Sequence, residues 1–97
     1  MAEAKRGREV PRPFAFHWGG GQIIEEACYV GRHTEPAIQL LEYENGRSYG
    51  IRFCYYNHSG RFQRSPMMID SEETLHGLQQ ALERTPKLRE LLRQLVI

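Results

Sequence analysis

From Asn45 to Ile69 the chain holds no aspartate or glutamate, and those 25 residues carry Arg47, Arg52, Arg61 and Arg64. At 12 acidic residues in 97, about three would fall in a window of that length, so the local charge of +4 stands out in a chain of formal charge +1. Tyr49, Phe53, Tyr55, Tyr56 and Phe62 are interleaved with these arginines. Guanidinium groups follow phosphates, and open aromatic faces stack bases at about 1 to 3 kcal/mol each without demanding a sequence, so both parts of a single-stranded nucleic-acid surface are present. The same residue types also build an ordinary sheet, with rings in the core and arginines as solubilising charges on the outer face. Glu25, Glu26, Glu42 and Glu44 bear on the choice: as cross-strand partners of Arg47 and Arg52 they would cancel a basic face.

Other chemistry has less support. His17, His33, His58 and His76 with Cys28 and Cys54 show no tight ligand spacing such as Cys-x-x-Cys, so no metal is expected. Neither cysteine sits in a nucleophile signature, and Gly19-Gly20-Gly21 lacks the lysine and Ser/Thr of a phosphate loop and reads as a hinge or turn. The expectation is a protein without cofactor that is not an enzyme.

The elements that must position the arginines follow from alternation and turn signals. Met1 to Pro13 mixes Glu3 and Glu9 with Lys5, Arg6, Arg8 and Arg12, has two prolines and no apolar period, and reads as a mobile basic tail before a single domain over 14–97. Phe14, Phe16 and Trp18 alternate briefly; Gln22 to Val30 then reads as the first strand and Ala37 to Glu44 as the second. Asn45-Gly46 is a tight-turn dipeptide that leads into a third strand over Ser48 to Asn57, with Tyr49, Ile51, Phe53 and Tyr55 on one face and Gly50, Arg52, Cys54 and Tyr56 on the other. A second turn at Asn57 to Gly60 introduces an extended Arg61 to Ile69, which Pro66 makes an edge or a bulge. Asp70 or Ser71 caps a helix carrying Leu75, Leu78 and Leu82, and Thr85-Pro86 kinks or restarts it before Leu88, Leu91, Leu92 and Leu95. The predicted fold is α+β, a four-stranded curved antiparallel sheet followed by a C-terminal helix kinked near Pro86, or ββββα.

Gly46-Arg47 leading into Tyr49 to Tyr56, the turn at Ser59-Gly60, the basic segment Arg61 to Arg64 and Met68-Ile69-Asp70 opening a helix together resemble a known family. It is the single-stranded-DNA-binding transcriptional coactivator family called positive cofactor four, which shares its fold with the Whirly proteins. The resemblance covers about Arg47 to Leu95. It implies a curved four-stranded sheet, a kinked helix, dimers formed through the helical ends, and single-stranded DNA on the sheet. Residue by residue it implicates Arg47 and Arg52, Tyr55 or Tyr56 as a stacking platform, and Arg61 and Arg64. Arginines stand here where the family favours lysines, and Ser65-Pro66 replaces a glycine-bearing basic segment.

The stripe Leu88, Leu91, Leu92, Leu95 is more apolar than a helix on a small sheet needs, which points to a homodimer; the alternative is that it covers its own sheet. No apolar run approaches the roughly 18 to 20 residues of a membrane span, and no secretory h-region precedes the domain, so an intracellular protein is expected, cytoplasmic or nucleoid-associated. Two function classes remain: binding of single-stranded DNA or RNA, and a protein-interaction module of the same fold.

Overall fold

A computed structural model describes residues 8–16, 19–44, 46, 49–64, 66–69 and 71–96. Among these residues five strands form one curled antiparallel sheet in chain order: β1 (Arg12–Phe16), β2 (Gly19–Cys28), β3 (Glu35–Tyr43), β4 (Tyr49–Tyr56) and β5 (Phe62–Gln63). Two helices follow, α1 (Glu72–Leu82) and α2 (Pro86–Leu95). The class is α+β, with one strand and one helix more than the sequence pattern predicts.

The additional strand comes from the segment expected to be a tail. Arg12 pairs with Ile23 and Phe14 with Gly21, and Arg8 is buried, so residues 8–13 belong to the domain. Ion pairs rather than an apolar pattern tie the segment to the sheet, Arg8 to Glu35 and Arg12 to Glu26. The glycines expected to hinge are paired strand: a Cβ on Gly21 would collide with the Glu42 carbonyl oxygen, so glycine is what lets β2 lie close to β3. At the other end β5 is only two residues long, against the longer segment expected, since Arg64 and Pro66 to Ile69 take no regular structure. Trp18, Arg47 and Asp70 lie outside the described residues.

A bulge in β2 decides what each sheet face carries. Ile23 pairs with Leu41 but Glu25 pairs with Leu40, so Ile24 is one residue too many for the ladder. Because side chains alternate with period two, the inserted residue exchanges the faces of everything after it. Ala27 joins Ile38 and Leu40 under Leu78 and Ala81 of α1 and Leu88 of α2, which form the main core with Ile51 and Met67 packed against it. Glu26 and Cys28 turn to the opposite face, beside Gln39 and Ala37.

The helices start where local chemistry demands. The Ser71 hydroxyl accepts from the Thr74 N–H at 3.1 Å, with Glu72 and Glu73 in the first turn of α1. The chain breaks at Thr85, whose hydroxyl donates back to the Leu82 carbonyl and leaves the next helix start uncapped. Glu25 of β2 does that task instead, its Oε1 accepting from the Leu88 N–H at 2.8 Å. None of the described helices is long and apolar enough to cross a membrane.

Candidate nucleic-acid interface

The helices cover one face of the sheet. Register places Arg12 and Phe14 of β1, Glu26 and Cys28 of β2, Glu35 and Gln39 of β3, Arg52, Cys54 and Tyr56 of β4 and Phe62 of β5 on the other. At its centre is Gln39, fully buried. Its amide nitrogen donates to Glu26 at 2.8 Å and to the Tyr56 hydroxyl at 2.9 Å, while its oxygen accepts from Arg52 Nε at 2.7 Å. Three bonds of fixed polarity orient the amide and, through it, the Arg52 guanidinium. That guanidinium lies 4.9 Å from the Phe62 ring centre and 5.7 Å from that of Phe14, so an arginine is seated between two aromatic rings.

Among the described residues, the two carboxylates of this face, Glu26 and Glu35, are each engaged by an arginine. Arg12 donates to Glu26 through two nitrogens, at 2.9 and 3.1 Å, and also reaches the Tyr56 hydroxyl at 3.1 Å. Arg8 donates to Glu35 at 2.8 Å, and the His58 ring Nδ1 lies 2.9 Å from the other oxygen of the same carboxylate. The Arg8 guanidinium sits 4.2 Å over the Tyr56 ring, a cation–π contact for a group whose Nε and Nη1 meet no hydrogen-bond acceptor among the described residues. The feared cancellation of Arg52 by Glu25 or Glu26 takes another course: Glu26 is bound by Arg12 and Gln39, and the bulge sends Glu25 to the start of α2. Glu42 pairs with Tyr49 on the helix side of the sheet.

The predicted site residues divide accordingly. Arg52 stands on the helix-free face, and Arg61 and Arg64 are exposed on either side of the short β5. Tyr56 is buried, clamped between Arg8 and the Phe62 edge with its hydroxyl bonded twice, so no base can stack on it and it must be dropped as a platform. Tyr55 points the other way, into a cleft of about 460 Å³ shared with Tyr29, Pro36 and Met67. Phe62, 46% exposed, is the ring that remains open beside Arg52. Arg8, Arg12, Phe14 and Gln39 complete the site and were missed, and Glu26, expected only as a cancelling charge, is part of its network; the one sequence signal was the Phe14/Phe16 alternation next to Arg12.

The leucine stripe is also corrected. Leu88 is wholly buried in its own core and Leu91 and Leu92 pack against that core, so this face covers its own sheet; only Leu95 is left exposed.

Burial pushes the thiols of Cys28 and Cys54 up to about 11, against the lowering pull of Arg8 and Arg52 respectively. Both are therefore protonated, poorly nucleophilic groups at neutral pH. Ala37 separates them across the ladder, which puts their Cα atoms about two strand spacings apart, roughly 9 to 10 Å and too far for a disulfide. Among the described residues no three His, Cys, Asp or Glu side chains are grouped as a metal site requires.

Comparison with protein-family models, with curated proteins and with solved structures yields no match to the chain.

Proposed function

We propose that the chain binds single-stranded nucleic acid, DNA or RNA, on the helix-free face of its sheet, as a non-catalytic accessory factor inside the cell. The observation that carries this reading is Arg52, oriented by Gln39 between Phe14 and the half-exposed Phe62, with Arg61 and Arg64 exposed on the adjoining segment. A base stacks on Phe62 while guanidinium groups take the flanking phosphates. The carboxylates that would repel a phosphate here are already bound to Arg12 and Arg8.

Fluorescence polarisation with a labelled single-stranded oligonucleotide tests it. Affinity falls steeply with salt, and the slope of log affinity against log salt shrinks by about 0.7 for each of Arg61→Ala and Arg64→Ala if each holds one phosphate. Phe62→Ala weakens binding about tenfold, corresponding to one lost stacking contact of about 1 to 3 kcal/mol. An unchanged polarisation at low salt rejects the reading in favour of a protein-interaction module, for which the half-exposed Tyr49 and Phe53 beside the outer edge of β4 are the supporting feature.

A further inference from the structure

We infer that two copies of this chain join their sheets through the outer edge of β4, antiparallel and about a two-fold axis at Ile51. The direction of the backbone groups sets up the argument. The Asn57 N–H donates to the Arg61 carbonyl at 2.9 Å, across the β4–β5 turn. Alternate residues back along the strand, Tyr55, Phe53, Ile51 and Tyr49, therefore direct their N–H and C=O groups the same way, away from β3. The inner side agrees: the Tyr29 N–H reaches the Pro36 carbonyl, so Pro36, Ile38 and Leu40 turn toward β2, and Gln39 and Leu41 turn toward Arg52 and Gly50.

Among the described residues β5 pairs with Tyr55 and Tyr56. Tyr49, Ile51 and Phe53 thus present three donors and three acceptors that meet no strand among the described residues. Natural edges of this kind are blunted by charged side chains, lysine above all, by proline or by a bulge. The stretch Tyr49 to Cys54 has no lysine, proline or bulge, and its one charge, Arg52, is bonded to Gln39 on the helix-free face, whereas the opposite edge, β1, is short and holds Pro13. Tyr49 is 52% exposed and Phe53 48%, so this edge is flanked by open rings.

The spacing of these side chains selects a second copy as the occupant. An antiparallel two-fold pairing must centre on a residue. Centred on Arg52 it would set guanidinium against guanidinium and drive Tyr49 onto Tyr55 of the partner subunit, which β5 already holds. Centred on Gly50 it would leave Phe53 unmatched. Centred on Ile51 it sets Tyr49 against Phe53 of the partner subunit, Ile51 against Ile51 of the partner subunit and Arg52 against Gly50 of the partner subunit. Tyr49, Ile51 and Phe53 are then all used, in about six hydrogen bonds, with two aromatic cross-strand pairs and no opposed charges. The axis is perpendicular to the sheet, so both helix-free faces lie on the same side, with the two Arg52 Cα atoms about 8 Å apart. The association itself does not depend on nucleic-acid binding.

Sedimentation equilibrium across micromolar concentrations reads the result. The wild-type chain gives twice its 11.3 kDa mass, and Phe53→Lys and Tyr49→Lys, both at exposed positions, each return it to one while circular dichroism stays native. The register has its own test, since the opposed pair at about 5.5 Å between Cα atoms is within disulfide range. The double variant Tyr49→Cys with Phe53→Cys cross-links to a dimer under mild oxidation, and Tyr49→Cys alone does not. A monomeric wild type, a dimer that survives both lysine variants, or a dimer in which the double variant fails to cross-link overturns the proposal.

Discussion

Replacing Gln39 by leucine removes three hydrogen bonds from the centre of the helix-free face while keeping a side chain of similar size. Two of the three reach a charged group, Glu26 and Arg52, and the third reaches the Tyr56 hydroxyl. Bonds to charged groups contribute about 1.5 to 3 kcal/mol each and neutral ones about 1, so a complete loss would come to about 4 to 7 kcal/mol. Glu26 and Tyr56 each keep Arg12, and the Arg52 side chain is close enough to solvent to recover a water. The expected loss is therefore about 2 to 3 kcal/mol, a large part of the roughly 5 to 15 that a domain this size commands. Urea denaturation measures it directly, and the melting temperature falls by about 10 to 20 °C. Gln79→Leu, on the exposed side of α1, should stay within about 0.5 kcal/mol. Oligonucleotide affinity also drops for Gln39→Leu, because the bond that sets the angle of Arg52 is gone. A loss of stability below about 1 kcal/mol would show that the network does not hold the face together, and the account of how Arg52 is oriented would fall with it.

Glu25→Gln should cost about 0.5 to 2 kcal/mol in the same denaturation assay, as the charged cap of α2 is lost; Glu42→Gln serves as the near-neutral control. Gly77→Ala should destabilise the fold despite alanine's better helix propensity, because its Cβ would run into the Tyr29 ring; a gain in melting temperature would contradict that contact. The folded thiols stay protonated up to about 11 while unfolded ones ionise near 9, so their contribution to stability is intact below pH 9 and declines as pH rises toward 11. Correspondingly, Ellman's reagent at pH 8 should label Cys28 and Cys54 slowly in the native protein and rapidly in urea, and fast native labelling would refute their burial.

Much of the order of elements was legible along the chain. Period-two alternation marks β4, Asn57 to Gly60 marks its closing turn, and Ser71 and Pro86 mark the two helix starts, since each signal is local and needs only neighbours within a few residues. The acid-free, arginine- and ring-bearing window was equally plain. Three things depended on contacts distant in sequence. The segment from Arg8 looks like a tail by composition and becomes part of the domain because Glu35 and Glu26 lie beneath it, 27 and 14 residues from Arg8 and Arg12 respectively. Tyr56 was indistinguishable from an open ring until Arg8 and Phe62 closed over it. The bulge at Ile24 parts Glu25 from Glu26, one to a helix start and the other to Arg12. Composition sets how many charges there are, but a single unpaired residue in a ladder reverses the direction of every side chain after it, so only the folded chain decides which charges meet.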